Sequence, residues 1–360
     1  MSLPSTYKAV VLPQYEHEVE LQTLPIPEVQ TGTALVKIES SLVNGDMRPI
    51  FSKPRNPMFS LPPPFVIGTA GVGRIIKSDT YKPGQLVFMD SMVTSRDDPS
   101  HFLVKTIFDA PSPQSKDLSA VFHKRSGYSA EYALVDVENV YPINESAINF
   151  DHDYLNNLSR LAVAFGGLKA VGLKPGETIA IAPSSGAFSS AAVALASALG
   201  ARVLAVGRSE SSVAPLAKKF KNVHAVALSG NQDEDVKALT KFGPLNAYMD
   251  FTPSNLSSAI YFKTALHALG FGGRVVLSGF IWSEVSIPYG LAVGKNLSVR
   301  GKIMYTRAEL KELIQLVESG TLRIDDQYSG IKKFALSEFN ESMDFAGKTK
   351  TFDALPILKN

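Results

Sequence analysis

The chain has 360 residues, of which 45% are apolar and 19% charged, and 36 Lys and Arg residues nearly balance 34 Asp and Glu residues. This composition excludes wholesale disorder, and a net charge of +2 gives no electrostatic basis for binding nucleic acid. The absence of cysteine excludes disulfides, thiolate nucleophiles, iron–sulfur clusters and zinc sites built on thiolates. A single core usually stops growing at roughly 250–300 residues, so two domains are expected.

No targeting or membrane-spanning segment is evident in the sequence. The first residues carry no apolar stretch of the signal-peptide type. The longest stretch of small and apolar residues, 178–201, contains Pro183 and several serines, which favours a strand, a turn and a buried helix over a membrane span. We therefore expect a cytoplasmic protein without a membrane partner.

Short β-type segments separated by Pro and Gly dominate the first 150 residues. Val, Ile and Leu fill the segments 7–12, 34–41, 71–77 and 85–89. Residues 91–126 interrupt this pattern with a polar segment that is longer than an ordinary connection, which favours a lobe or a lid. The pattern predicts a β-rich domain of the barrel or sandwich type.

From about residue 151 onwards, strands and helices alternate. Helical patterns occupy 158–171, 187–199, 308–318 and the region of 214–220, where Pro215 requires the helix to begin close to it. Apolar strands are predicted at 178–182, 202–206, 223–227, 246–251, 274–278 and 297–301. This alternation predicts an α/β fold with a doubly wound parallel sheet.

The turn after the first of these strands has the features of a phosphate site. Ser184, Ser185 and Gly186 lead into a helix that begins with Ala187 and Phe188, and the N–H groups and dipole of such a helix suit a pyrophosphate. The two serines offer hydroxyl donors, and Gly186 permits close approach of a ligand. Because Pro183 and Ser189 stand where glycine is usual in this motif, a turn that holds no ligand stays an alternative.

The end of the second strand favours NADPH over NADH. Dinucleotide folds that prefer NAD carry an acidic residue here, whereas this chain has Gly207, Arg208 and Ser209. Arg208 offers a planar cation to the 2′-phosphate, and Gly207 leaves room for it. An exposed arginine without a ligand is the alternative. The predicted cofactor is therefore NADPH.

Four sequence segments, which follow one another along the chain, carry a family resemblance: Gly127-Tyr128-Ser129-Ala130-Glu131-Tyr132, Leu173-Lys174-Pro175-Gly176-Glu177-Thr178, Gly272-Gly273-Arg274-Val275-Val276-Leu277-Ser278-Gly279 and Leu297-Ser298-Val299-Arg300-Gly301. They resemble the medium-chain dehydrogenase/reductase superfamily, particularly its zinc-free quinone-oxidoreductase-like and enoyl-reductase-like members, over nearly the whole chain. The resemblance implies a β-rich (GroES-like, partly open barrel) catalytic domain at 1–150 and 305–360. It also implies a Rossmann NADP-binding domain at 151–304 and a homodimer that pairs through the strand at 297–301.

The resemblance bears on metal binding as well. Zinc-dependent members of the superfamily take catalytic ligands from a Cys and from a Gly-His-Glu segment, and here Asn44 replaces the Cys and Thr69-Ala70 replaces His-Glu. The four-Cys structural zinc lobe of the family would fall within 91–126, which contains no Cys. Neither zinc site can form as the family builds it, so no metal is expected.

The remaining candidate site residues follow from the same reasoning. Asn44 occupies the active-site loop of the family and is the candidate catalytic residue, which would donate to a substrate oxygen or to the cofactor. The stretch from Phe51 to Phe65 either lines an apolar substrate cleft or covers the core. Further cofactor-binding residues are expected at the ends of two Rossmann strands, because ligands gather at the carboxyl ends of such strands: Phe251, Thr252, Ser278 and Gly279.

The expected reaction follows from the missing zinc. Nothing in the sequence strongly polarises an alcohol or a simple ketone, whereas a conjugated acceptor spreads the developing negative charge by itself. The sequence predicts a zinc-independent, NADPH-dependent reductase of an activated C=C bond (enone or enoyl) or of a quinone, with a small apolar or conjugated substrate. Two alternatives stay open: a metal-free alcohol or imine dehydrogenase, and a cofactor-binding protein with little catalysis.

Overall fold

The computed structural model describes residues 3–55, 61–95, 97–109, 117–120, 127–253, 256, 259–281, 283–326, 328–349 and 354–360. The chain divides into two compact units. Unit 1 consists of Met1–Ser159 and Val317–Asn360, and unit 2 consists of Arg160–Leu316. Both divisions lie further along the chain than the boundaries expected at 150/151 and 304/305.

The secondary structure has the following bounds. The strands are β1 (Thr6–Leu12), β2 (Glu20–Pro25), β3 (Thr33–Leu42), β4 (Phe65–Val66), β5 (Gly71–Ser78), β6 (Leu86–Met89), β7 (Met92–Thr94), β8 (Phe102–Val104), β9 (Phe108–Asp109), β10 (Tyr132–Asp136), β11 (Val140–Pro142), β12 (Thr178–Ala182), β13 (Arg202–Gly207), β14 (Val223–Ala227), β15 (Leu245–Asp250), β16 (Leu269–Leu277), β17 (Ser298–Gly301), β18 (Gly330–Ala335) and β19 (Ala354–Lys359). The α-helices are α1 (Met47–Phe51), α2 (Leu158–Ala170), α3 (Ala187–Ala198), α4 (Glu210–Lys219), α5 (Gln232–Leu239), α6 (Phe262–Ala268), α7 (Tyr289–Gly294), α8 (Arg307–Glu318) and α9 (Phe339–Lys348).

Unit 1 is built mainly from β-sheet. Its larger sheet follows the order β11-β6-β5-β3-β19-β18, and β10 also pairs with β3. A smaller sheet has the order β2-β1-β4, and the described part of the 91–126 segment contributes a third, β7-β8-β9. The late strand β19 pairs antiparallel with β3, so both ends of the chain contribute to the larger sheet. The expected β-rich domain is therefore confirmed.

Aromatic residues that the sequence placed in a possible cleft wall belong to the core of unit 1. Phe51, Leu61 and Phe65 are each 3% exposed, and the rings of Phe51 and Phe65 lie 6.2 Å apart in an edge-to-face arrangement. Tyr15 packs beside both rings. Met58 and Phe59, which were part of the same expectation, lie outside the described residues. For the described members of this stretch, the core-covering alternative holds.

Unit 2 contains the predicted doubly wound sheet. Its strands follow the order β14-β13-β12-β15-β16-β17, and every neighbouring pair is parallel. Strand β12 is buried along its whole length, as a central strand covered on both faces requires. The α/β fold is confirmed. Among the described helices of the chain, none combines the length and the apolar character that crossing a bilayer demands.

One expectation about unit 2 is wrong. Helix α4 does not begin near Pro215 but at Glu210, which makes Pro215 an interior residue of the helix. Ser209 is the N-cap, and its carbonyl accepts hydrogen bonds from both the N–H and the hydroxyl of Ser212. Pro215 lies on the exposed side of the helix, where water can solvate the carbonyl that has lost its helical partner.

Candidate nucleotide-binding site

The predicted cofactor-binding residues of unit 2 lie at one edge of its sheet. Strands β13, β12, β15 and β16 are consecutive neighbours and parallel, so their carboxyl ends meet at the same edge. The candidates lie at or just after these ends, at 184–188, 207–209, 251–252 and 278–279. The structure therefore brings together all the candidates that belong to unit 2, whereas Asn44 belongs to unit 1.

Ser184 differs from its expected role as a hydroxyl donor to phosphate. Its side chain is fully buried, and its hydroxyl donates to the carbonyl of Ile181 at 2.6 Å and accepts the N–H of Val206 at 2.8 Å. Its own N–H donates to the carbonyl of Val206 at 2.8 Å. The hydroxyl of Ser184 is therefore fully used in joining the ends of β12 and β13, and it holds the turn in place instead of facing a ligand.

The rest of the turn keeps donors available. Ser185 is half-buried and makes no hydrogen bond with any described residue. The N–H of Gly186 donates to the hydroxyl of Ser189 at 3.1 Å, so the serine that stands in a usual glycine position closes back onto the turn. The N–H groups of Ala187 and Phe188, in the first turn of α3, have no intrahelical acceptor. These groups point from a helix N-terminus, where an anion is favoured.

Gly207, the last residue of β13, packs against the first turn of α4. A Cβ atom at this position would lie 2.8 Å from Val213 Cγ1 and 2.9 Å from Ser212 Oγ. The first turn of α4 therefore occupies the side of Gly207 to which a Cβ atom would project. Gly207 is needed because α4 packs closely against the end of β13.

Arg208 and Ser209 are exposed beside this packing contact. Arg208 makes no hydrogen bond or ion pair with any described residue. Burial raises the pKa of the Tyr261 hydroxyl, and the positive charge of Arg208 opposes that rise, which locates the guanidinium near Tyr261. The hydroxyls of Ser209 and Ser211 are 3.2 Å apart. A cation and two hydroxyls thus lie at the start of α4.

Two hydroxyls just after the ends of β15 and β16 have no partner among the residues that the structure describes. Thr252 Oγ1 and Ser278 Oγ are buried, and neither has a hydrogen-bond partner among the described residues. Gly279 crosses the Thr252 backbone so closely that a Cβ atom would lie 2.4 Å from its carbonyl oxygen. Phe251 is half-buried, and its N–H donates to Ala182 at 2.7 Å. Buried hydroxyls normally have a hydrogen-bond partner in native proteins, so these two are donors that water or a bound ligand can use.

The sequence reasoning missed the carboxylate that supports this region. Asp250, the last residue of β15, is 4% exposed and accepts the N–H of Thr252 at 2.9 Å and the hydroxyl of Tyr248 at 2.7 Å. Burial and, next, the charge of Asp250 raise the pKa of Tyr248 well above its ordinary value, so this hydroxyl stays a donor. The sequence feature that could have identified Asp250 is an acidic residue at the end of an apolar strand.

In unit 1, Asn44 forms a hydrogen-bonded pair with Thr69. The Nδ2 atom of Asn44 donates to Thr69 Oγ1 at 2.8 Å, and Thr69 is 2% exposed while Asn44 is half-buried. Within the described part of the chain, no group of three or more His, Asp or Glu residues is placed to hold a metal ion. The nearby Arg48 forms ion pairs with Glu18 and with Asp344, and the second pair connects α1 to α9.

The chain is similar to known dehydrogenases and reductases. Residues 188–319 match the family described as zinc-binding dehydrogenase. An alcohol dehydrogenase of Geobacillus stearothermophilus is 24% identical over 95% of this chain and 96% of its own length. An acryloyl-coenzyme A reductase of Metallosphaera sedula is 23% identical over 88% of this chain and 90% of its own length.

Solved structures share the fold. A zinc-binding dehydrogenase from Sinorhizobium meliloti 1021, solved with NADP bound, superposes with a TM-score of 0.79 at 19% identity. The match covers 99% of this chain and 100% of that one. This chain is therefore similar to zinc-binding dehydrogenases over residues 188–319, to an alcohol dehydrogenase and an acryloyl-coenzyme A reductase over most of its length, and to a solved dehydrogenase structure in its fold.

Proposed function

We propose that the protein is a zinc-independent, NADPH-dependent reductase of an activated C=C bond or a quinone. The coarser statement, an NAD(P)-dependent oxidoreductase, is supported by the relatives and the shared fold. The observation that carries the finer proposal is the Asn44–Thr69 pair, because an amide and a hydroxyl stand where zinc-dependent members carry Cys and His.

The residues at this position do not fit a zinc ion. Zinc in proteins is bound by thiolates, imidazoles and carboxylates, whereas Asn44 and Thr69 are neutral and hydrogen-bonded to each other. The chain has no Cys to replace them. We therefore derive no step of the reaction through a metal.

The residues of unit 2 do fit a dinucleotide phosphate. The first N–H groups of α3 and the hydroxyl of Ser185 are available to a pyrophosphate, and Arg208 is available to a 2′-phosphate. The unpartnered hydroxyls of Thr252 and Ser278 lie at the ends of the adjacent strands. When bound, NADPH supplies the hydride for the reaction.

In this proposal the two units supply different groups. Unit 2 binds and orients the nucleotide through the turn at 184–188 and the start of α4, and Ser184 and Asp250 hold the backbone that carries these donors. Unit 1 supplies Asn44, whose amide donates to the oxygen of a conjugated substrate. A donor at this oxygen stabilises the negative charge that develops there during reduction.

Relatives divide between the proposed reaction and its alternative. The name of the acryloyl-coenzyme A reductase describes reduction of a conjugated C=C bond, and that of the Geobacillus relative describes alcohol oxidation. The alternative for this chain is therefore a metal-free alcohol dehydrogenase. Substrate tests separate the two: the proposal predicts NADPH consumption with enones or quinones after dialysis against a chelator, and the alternative predicts NADP⁺ reduction with alcohols.

Cofactor choice is tested by titrating the protein with NADPH and with NADH while recording nicotinamide fluorescence. Arg208→Ala should weaken NADPH binding about tenfold or more and leave NADH binding unchanged, because only NADPH carries the 2′-phosphate. Arg202→Ala, at the opposite end of the same strand β13, is the matched control. Tighter binding of NADH by the wild-type protein would contradict the proposal.

We also infer that a second copy of the chain covers the outer edge of unit 2. Strand β17 ends the described sheet, and three of its four residues are exposed. On the adjacent α7, Tyr289 and Val293 are 83% and 64% exposed and lie four residues apart, on one helix face. Exposed apolar residues beside an open strand edge favour pairing with an identical edge across a two-fold axis.

A further inference from the structure

The Asn44–Thr69 pair leaves one hydroxyl proton available. Thr69 Oγ1 accepts the Nδ2–H of Asn44 at 2.8 Å, and this hydrogen bond does not involve the hydroxyl proton of Thr69. Thr69 is 2% exposed, and its hydroxyl donates to no described residue. Buried hydroxyls normally donate as well as accept. The proton of Thr69 and the second Nδ2–H of Asn44 are therefore two donors on adjacent groups.

The backbone around Thr69 holds this arrangement rigidly. Gly68 has a φ of +112°, and a Cβ atom there would lie 2.6 Å from the N atom of Ser129, so no other residue fits without displacement. The N–H of Tyr128 donates to the carbonyl of Gly68 at 3.2 Å. On the other side, the N–H of Leu42, two residues before Asn44, donates to the carbonyl of Ala70 at 3.1 Å.

We propose that Thr69 is a second catalytic hydrogen-bond donor, which acts together with Asn44 on the carbonyl oxygen of the conjugated substrate. This inference rests on the proposed reduction of an activated C=C bond. Two fixed donors that converge on one oxygen stabilise a negative charge better than one, since they need no reorganisation as the charge forms.

The reduction of an enone begins with transfer of a hydride to its β-carbon. The β-carbon accepts the hydride and forms a new C–H bond, the π electrons of C=C shift to form a double bond between the α-carbon and the carbonyl carbon, and the carbonyl π electrons move to oxygen. The substrate is thereby reduced to an enolate while NADPH is oxidised to NADP⁺. The O–H of Thr69 and the N–H of Asn44 stabilise the enolate oxygen, and water then supplies the proton to the α-carbon.

This two-donor site defines a substrate class. It favours compounds whose C=C bond is conjugated to a carbonyl oxygen, that is, enones, enoyl thioesters and quinones. A conjugated nitrile has no oxygen at the same distance from the β-carbon. We therefore expect wild-type turnover to be higher with an enone than with the nitrile of matching chain length.

The test compares Thr69→Val, Thr69→Ala and Thr69→Ser in steady-state reduction of an enone by NADPH. Val and Ala remove the hydroxyl and should lower kcat about a hundredfold, as the loss of one such donor does elsewhere, and Ser should recover most of the loss. The NADPH dissociation constant should stay at the wild-type value. Thr264→Val, which alters a buried threonine in α6 of unit 2, is the control and should keep the wild-type kcat.

A double-variant comparison separates direct donation from simple orientation of Asn44. If Thr69 donates to the substrate, Thr69→Ala should lower kcat further in an Asn44→Ala background. No further loss in that background would overturn the inference, because Thr69 would then act only through Asn44. If the wild type reduces the enone and Thr69→Ala has the same kcat, the inference about Thr69 is also overturned, whereas the proposed function stays intact. Absence of wild-type turnover with every acceptor would instead refute the proposed function itself.

Discussion

Gly279 and Ser184 show that the candidate nucleotide site depends on residues that need not touch the nucleotide. Gly279 lets its strand end pass against the backbone of Thr252, where a Cβ atom would meet the Thr252 N and O atoms at 2.5 and 2.4 Å. Ser184 joins two strand ends through its hydroxyl. Both residues fix the positions of neighbouring donors, so their substitution should affect the nucleotide through the backbone.

Gly279→Ala should weaken NADPH binding, because the backbone at Thr252 must move to make room for the methyl group. We expect a loss of about tenfold in affinity, together with a loss of stability of about 1–3 kcal/mol from overpacking. Gly290→Ala is the control, since a Cβ atom in that helical position meets nothing within 4 Å. Fluorescence titration and urea unfolding measure the two effects, and equal affinities for both variants would contradict the explanation.

Ser184→Ala should lower the free energy of unfolding by about 1–3 kcal/mol, since it leaves the buried N–H of Val206 with one partner fewer. Ser185→Ala should change this free energy by less than about 0.5 kcal/mol, because Ser185 makes no hydrogen bond with the described residues. It should instead weaken NADPH binding. Urea unfolding of the two variants gives the comparison, and an equal loss of stability would refute the distinction.

These two serines also show the limit of sequence reasoning at single residues. The sequence predicts the strand, the Ser-Ser-Gly turn and the small-residue helix, because each is a local pattern. The hydrogen bond of the Ser184 hydroxyl could not be predicted, because its partner Val206 lies on the neighbouring strand, 22 positions away. The close packing at Gly207 could not be predicted for a similar reason: the side chains beside it belong to the next helix.

At the scale of elements, an ion pair connects the turn before β12 with β16. Glu177 accepts hydrogen bonds from Arg274 and from the N–H of Lys174, and Arg274 also donates to the carbonyl of Val171 at 2.8 Å. Burial of Glu177 would raise its pKa, but the hydrogen bond from Arg274 and the other favourable contacts outweigh burial, so the pKa lies below its ordinary value of 4.5.

Arg274→Met should lower the stability of unit 2 by about 1–2 kcal/mol at pH 7, a value reduced from that of a fully buried charged hydrogen bond because the pair is partly exposed. A carboxyl group with a lowered folded pKa contributes stability above pH 4.5 and loses it as pH falls through the folded value. Stability should therefore decline less steeply below pH 4.5 in the variant than in the wild type.

Urea unfolding at pH 7 and at several values below pH 4.5 checks this prediction. Lys169→Met is the matched control, since it removes an ion pair with Glu312 in which both side chains are nearly half-exposed. Such exposed pairs contribute little, so we expect a change below about 0.5 kcal/mol. Parallel pH profiles for the wild type and Arg274→Met would contradict the role of the Glu177 pair.

Helix α4 shows which features of the elements were predictable. The six strands of unit 2 were readable because buried parallel strands are short apolar runs between turn signals. The start of α4 was misplaced because Pro215 was given more weight than the Ser209-Glu210 pair, which is a typical N-cap followed by an acidic first-turn residue. Pro215 is tolerated within α4 because it lies on the exposed face of the helix, whereas a proline on a buried helix face would leave a carbonyl without a partner.

At the scale of the whole molecule, we expect the exposed face of α7 to govern assembly. Val293→Asp combined with Tyr289→Asp places charge at the proposed contact between two copies, so the protein should sediment as single chains. Leu21→Asp alters an exposed apolar residue of unit 1 and should leave the assembly unchanged. Wild-type protein that already sediments as single chains would refute the proposed homodimer.

The order of the strands in the unit 1 sheet has a consequence for protein synthesis. Strand β3 can pair with β5 and β10 early, but its last residues pair with β19, which is translated more than 300 residues later. Every strand of the unit 2 sheet, by contrast, lies within one continuous stretch of chain. On the ribosome, unit 2 should become resistant to protease before unit 1 does. Nascent chains arrested ahead of residue 354 would reveal this sequence of events, because their N-terminal part should still be digested.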